Sequence, residues 1–250
     1  MTDARLIFVV GLTGVGKSST LTGVQAQLPD LELLPNRRDL TDAIIIPTCQ
    51  RASGKSVIPV HDRLERFDYT RQYREMYPGG VVHALEAYLL EQHLTSDKRH
   101  IFDNIRGLDE VRYSLERFPK SRFIVLDAPP LKRLKRLATR ADAFDTIRAT
   151  RLENDTFINN LQTIEGAADV FDLYEVARLE AAGYNEESLL TGLRIITREH
   201  LNYNAKEAFT HLRENLNSSR LLHIDTSQLE LEHVINRVTG WIHISSASSL

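Results

Sequence analysis

Short apolar runs recur along this chain, and most are followed by a stretch of helical period. Leu6-Ile7-Phe8-Val9-Val10 is apolar at every position, as a strand covered on both faces requires. Ser18 to Leu28 then reads as a helix, stopped by Pro29-Asp30. Further strands are predicted at 31–35, 43–47, 99–103, 122–127 and 220–224. Helices are predicted over 81–94, 109–118, 131–140, 204–216 and 231–242, and over the later part of 61–76. Asp109 is expected to cap its own helix, Pro129-Pro130 to start the next, and Asn204 to Glu207 has capping-box spacing. Residues 48–60 read as a basic loop or β-hairpin.

Strands and helices that alternate through short connections predict an α/β fold, a parallel sheet with helices on both faces. The alternation breaks over 141–203, where helical patterns at 144–164, 174–182 and 186–200 follow one another without a strand. This segment is predicted as a helical insertion or lid on a core of residues 1–140 and 204–244, with 245–250 a disordered tail. In such sheets ligands lie at the carboxyl ends of the strands, so the residues just after each strand are the candidates.

Composition narrows the classes. A net charge of −3 gives no general attraction to nucleic acid or to a membrane surface. The single Cys49 excludes an internal disulfide and suits a reducing cytosol. No apolar run approaches the ~20 residues of a membrane span. Residues 1–5 lead straight into the first strand, leaving no room for a signal peptide, so a cytoplasmic protein is expected.

The chemistry concentrates after the first strand. Gly11-Leu12-Thr13-Gly14-Val15-Gly16-Lys17-Ser18 fits G-x-x-x-x-G-K-[ST] between a strand and a helix. Glycines let successive backbone N–H groups turn inward, and the helix N-terminus adds its positive end, so Gly11, Thr13, Gly14, Val15, Gly16, Lys17, Ser18 and Ser19 form an anion cradle. Lys17 is expected on the β- and γ-phosphates of ATP, and the Ser18 hydroxyl on Mg²⁺. A second Gly54-Lys55-Ser56 fails, because Cys49 stands where the first glycine must be and Val57-Ile58-Pro59 cannot open a helix.

Asp103 closes a predicted strand and is a second candidate for the metal, with Arg106 over the same crevice as a phosphate ligand. The plainer alternative is an Asp-Asn turn beside a solvated arginine. In 131–140, Leu131, Leu134, Leu137 and Ala138 form the apolar stripe, while Arg133, Arg136 and Arg140 share a face. Arg37, Arg38, Arg63 and Arg66 lie in an arginine-rich stretch that suits an anionic acceptor, and serve equally as surface residues.

The phosphate loop through Ser19-Thr20 resembles that of the nucleoside monophosphate kinase group, adenylate kinase and its small-molecule-kinase relatives. Asp103-Asn104-Ile105-Arg106 resembles their Asp-Gly-x-Pro-Arg stretch, with Asn and Ile replacing Gly and Pro. Arg136 to Arg140 resembles the arginines entering the lid, and Leu222 to Thr226 the strand that borders the base. The resemblance covers 4–28, 99–140 and 204–242, and implies a P-loop NTPase fold. It implies ATP-dependent phosphoryl transfer to a small anionic or nucleotide-like acceptor, with Lys17, Asp103, Arg106, Arg136 and Arg140 in the chemistry. Two rivals remain: a nucleotide-driven ATPase switch that binds a protein partner, and a kinase of nucleic-acid ends, which is less favoured. No Asn-Lys-x-Asp guanine motif is present.

Overall fold

The computed structural model describes residues 6–91, 98–139 and 157–247. In chain order they form β1 (Leu6–Val10), α1 (Lys17–Gln27), β2 (Leu31–Leu33), α2 (Arg37–Leu40), α3 (Ile46–Ala52), α4 (Arg63–Met76) and α5 (Gly80–Glu91). There follow β3 (Arg99–Ile105), α6 (Leu108–Arg117), β4 (Arg122–Asp127) and α7 (Pro130–Ala138). Then come α8 (Phe157–Gln162), α9 (Ala167–Val170), α10 (Leu173–Ala181), α11 (Glu186–Asn202), α12 (Ala205–Asn215), β5 (Leu221–Asp225) and α13 (Leu231–Ala247).

The strands make one five-stranded parallel sheet in the order β2-β3-β1-β4-β5, so the central β1 delivers the glycine-rich loop to the middle of its carboxyl edge. Alternate β1 side chains enter opposite layers, as the period of two demands. Leu6, Phe8 and Val10 pack beneath α5, α6 and α12, while Ile7 and Val9 pack beneath α1 and α13. Phe8 is fully buried, edge-on to Phe102 and tilted on Phe123 at ring separations of 6.2 and 5.4 Å. Helices cover both faces, and the architecture is that of an α/β P-loop fold.

A third apolar cluster joins α8–α11 to α7 through Leu134 and Leu137. Gly192 of α11 lies directly on α7: an added Cβ would stand 2.9 Å from Leu134 Cδ1.

Five local expectations are corrected. Residues 43–47 are helical, not a strand: a capping box of Asn36 and Asp39 starts α2, and a π-turn at Thr41–Ile45 carries the helix into α3. Ile46 N–H reaches back to Thr41 O, and Pro47, which has no N–H, falls harmlessly in the first turn of α3. The isoleucine run is apolar because Ile45 and Ile46 are buried, and burial alone does not distinguish a strand from a helix. Residues 48–60 are accordingly helical to Ala52, then a turn and an irregular stretch, with the Gln50 amide bonding both backbone groups of Ile58. Asp109 does not cap α6; Gly107 does, with no side-chain bond. Asn204 stands at the start of α12 but makes no side-chain capping bond either. At the other terminus α13 continues to Ala247, past the expected end at 242, and 248–250 lie outside the described residues.

Candidate active site

The loop after β1 has the geometry its glycines require. Gly14 and Gly16 take φ of 86° and 95°, conformations in which other residues are strained. An added Cβ at Gly14 would stand 3.0 Å from Arg133 Cβ and O, so the loop lies directly on α7. Lys17 opens α1, buried, with Nζ donating to Leu12 O at 2.8 Å. Burial brings its ammonium down to about 8, against the upward pull of Asp103.

Asp103 sits on β3 where the ladder to β1 slips: Val9 pairs with Asp103 but Val10 with Ile105, leaving Asn104 bulged. Asn104 adopts φ 76°, which asparagine tolerates better than most residues. The bulge re-aims the strand end beside the loop. Asp103 Oδ2 accepts from Asn104 Nδ2 at 2.6 Å, whereas Oδ1 is buried without a hydrogen-bond partner. Burial pushes this carboxyl above its ordinary range, and Lys17 opposes the rise.

These groups face a cleft of about 210 Å³ that also carries Ser18, Ser19, Asn36, Arg37, Arg38, Arg63, Arg66, Thr70, Arg106 and Tyr203. Arg37, Arg66 and Arg106 are held by carboxylates from other elements. Arg37 is buried and bidentate to Glu110, and also donates to Tyr203 Oη at 2.9 Å. Although burial alone would raise the Glu110 carboxyl, Arg37 brings it down. Arg66 pairs with Asp42 and donates to Val60 O. Arg37, Arg74 and Arg106 all lie against the Tyr203 ring, 4.7–5.6 Å from its centre.

Glu199 of α11 is the deepest of these carboxylates, with no exposure to solvent. It accepts from Arg106 at 2.7 Å, from Arg133 at 2.6 Å, and from both the N–H and hydroxyl of Thr13 in the loop. Arg133 Nε in turn donates to Thr13 O, and Arg63 to Thr13 Oγ1. Burial alone would raise the Glu199 carboxyl; Arg106 and Arg133 overcome it and hold it at about 2.

On the other side of the loop lies an apolar pocket, lined by Val15, Thr20, Leu137, Leu229, Leu231 and Val234 together with Arg136. It shares Gly14, Gly16 and Ser19 with the cleft. Arg136 donates to Gly14 O, to Thr226 Oγ1 and to Thr226 O, tying α7 and the end of β5 to the loop.

The structure therefore brings Lys17, Ser18, Ser19, Asp103, Arg106, Arg37, Arg38, Arg63 and Arg66 to one cleft and sets Arg136 on the opposite side. Arg133 is buried beneath the loop, not aligned with Arg136 on an open face. Arg140 lies outside the described residues, as does much of the helix predicted over 144–164. Glu199, Glu110 and Tyr203 were not anticipated. One signal for Glu199 was present: it continues the apolar stripe of Leu189, Leu193 and Ile196 on α11, where a charge is out of place.

Among the described residues no three His, Cys, Asp or Glu side chains converge as a metal cage. No helix among them is long and apolar enough to cross a membrane. No family model matches the chain, and no curated protein matches it. Solved structures resemble it at low identity. An unliganded sugar kinase from Janibacter sp. is 16% identical over 99% of each chain, at a TM-score of 0.44. A candidate kinase from Chloroflexus aurantiacus is 14% identical over the whole of both chains, at 0.42. A Thermus thermophilus protein is 16% identical, at 0.39, over 86% of this chain and 98% of its own.

Proposed function

We propose that this protein is an ATP-dependent phosphotransferase that moves the γ-phosphoryl group to a small, anionic or nucleotide-like acceptor. The observation that carries the reading is the pair of unlike pockets sharing one phosphate loop. The apolar pocket beside Arg136 suits a nucleoside, and the cationic cleft on the other side suits an acceptor bearing its own negative charge. Gly14 to Ser19 then hold the phosphates between the two.

In this reaction the acceptor oxygen bonds to the γ-phosphorus as its bond to the β–γ bridging oxygen breaks, and ADP leaves. Catalysis of this kind rests on positioning and on cations at the moving group. Lys17 neutralises the phosphates, while Arg106 faces the transferring group from the cleft. Ser18 and Asp103 would hold Mg²⁺; one hydroxyl and one carboxylate suit an ion that keeps waters and phosphate oxygens as its other ligands. The unpartnered Asp103 Oδ1 supports that assignment. When bound, the ion supplies further charge neutralisation. Arg38, Arg63 and Arg66 orient the acceptor's anionic group. Arg136 acts from the nucleoside side, and Arg140 is a second cation proposed for the transfer.

The test is product identity. ATP and MgCl₂ are incubated with nucleosides, nucleotides, phosphosugars and short oligonucleotides, and the products are resolved by mass. A phosphorylated small acceptor supports the proposal. Free phosphate alone, whatever is added, overturns it in favour of an ATPase switch. A labelled oligonucleotide end, with binding that falls steeply with salt, identifies the nucleic-acid kinase instead.

A further inference from the structure

Glu199 has no part in the reading above, yet it is the most heavily bonded acid beside the phosphate loop. Taking an ionised carboxylate out of water costs several kcal/mol, and a buried ion pair is weak evidence of stabilisation, since apolar replacements commonly do as well. Its geometry shows what the charge does instead. Three guanidinium groups converge on one end of the loop from α4, from the turn after β3 and from α7, and unpaired they would repel one another. Glu199 meets Arg106 with Oε1 and Arg133 with Oε2, and Arg63 joins through the Thr13 hydroxyl. Because the carboxylate is wholly buried, it offers no surface to a ligand in the cleft, while Arg63 and Arg106 still line it.

The same contact ends the anion cradle. The Thr13 N–H points at Glu199, 3.0 Å from Oε2, so it is spent on protein, and the donors left for a ligand begin at Gly14. Glu199 belongs to α11, which rests on α7 through Gly192. The helical layer thus reaches the phosphate loop through one side chain.

We propose that Glu199 is a positioning residue for phosphoryl transfer: clamped between Thr13, Arg106 and Arg133, it holds the arginines of the cleft in register with the phosphate loop. The proposal rests on the phosphotransferase reading. It assigns to Glu199 an effect on the transfer step and none on nucleotide binding, because Lys17 bonds to Leu12 O and the donors left for a ligand begin at Gly14, outside the Glu199 clamp.

The experiment compares wild type, Glu199→Gln, Arg106→Met and the double variant in the full chain. Melting temperature, equilibrium binding of ADP with MgCl₂, and kcat with the acceptor found by the product screen are measured for each. Glu199→Gln is expected to lower kcat by about 10²-fold, the scale of an ångström-sized misplacement, with ADP affinity within about threefold. The double variant should lose no more than Arg106→Met alone, since Glu199 acts through the arginines. A kcat within about threefold of wild type overturns the proposal, as does an ADP affinity that falls in parallel with kcat. Additive losses in the double variant also overturn it. If the glutamine variant does not fold, Glu199→Asp is measured in the same way. The shortened side chain should lower kcat by about tenfold at normal ADP affinity, and an unchanged kcat sinks the idea. A wild-type protein that transfers no phosphoryl group would instead refute the phosphotransferase reading itself, so the two failures are distinguishable.

Discussion

The two sides of the phosphate loop are built by opposite means. In the cleft the arginines are ion-paired: Arg37 with Glu110 and Arg106 with Glu199 in buried pairs, Arg66 with the exposed Asp42. In the pocket opposite, the walls are aliphatic and the single arginine, Arg136, is held by neutral oxygens of Gly14 and Thr226. The difference matters energetically. Deleting one member of a buried ion pair leaves the other uncompensated, at about 3–5 kcal/mol, whereas trimming an apolar wall loses area in proportion to the atoms removed. The cleft is therefore expected to be intolerant and selective for charge, and the pocket tolerant and selective for shape.

The largest effect should come where the two sides meet. Lys17→Ala is expected to reduce phosphoryl transfer by about 10³-fold or more without unfolding the protein, because the β/γ-phosphates lose their nearest cation. Near wild-type turnover in the purified variant would dissolve the comparison, for the shared loop would then not be the site.

Asp103→Asn should come next. Turnover is expected to fall about 10²-fold with a weakened Mg²⁺ dependence, while nucleotide binding without metal stays close to wild type. An Mg²⁺ titration that does not move would remove Asp103 from the metal.

Acid stability sharpens the contrast on the cleft side alone. Glu199 titrates at about 2 in the folded chain against an ordinary 4.5. A depressed carboxylate contributes its stability above the unfolded value and loses it as pH falls through the folded one. On the order of 3 kcal/mol should thus vanish between about pH 4.5 and 2. Protonation removes the charge that faces Arg63, Arg106, Arg133 and Lys17. The stability difference between wild type and Glu199→Gln, followed by denaturant unfolding, should shrink over that window. A constant difference would mean that the pairing contributes nothing to the folded state.

The smallest effects should be reciprocal. Arg136→Ala is expected to weaken ATP binding by about tenfold with the acceptor KM unchanged, and Arg38→Ala to raise the acceptor KM by about tenfold with ATP affinity unchanged. If Arg136→Ala instead lowers kcat at constant ATP affinity, Arg136 reaches the transferring group, and the division of labour across the loop is wrong for that residue.

The phosphate loop could be read without a structure because its geometry is local. Gly14 and Gly16 permit left-handed backbone that almost no other residue accepts, and the apolar run ahead of them suits a buried central strand. The alternation of strand and helix fixed the α/β class for the same reason, since periodicity is a property of neighbours in the chain. Asp103 was also within reach, as the acid after an apolar run, although β3 continues past it to Ile105. Tertiary structure decided the rest. Whether Ala43 to Pro47 became strand or helix depended on a cap at Asn36 and on the layer that buries Ile45. Arg133 and Arg136, alike on one helix, were separated by what each met: a carboxylate beneath the loop for one, the end of β5 for the other. Thr13 and Glu199 are 186 residues apart in the chain, and no period or motif links them. Charges find partners by distance in space. The pairing of a buried arginine is settled only when separate elements have packed, which is why the left-handed turn after β1 was legible in the sequence and the acid bonded to it was not.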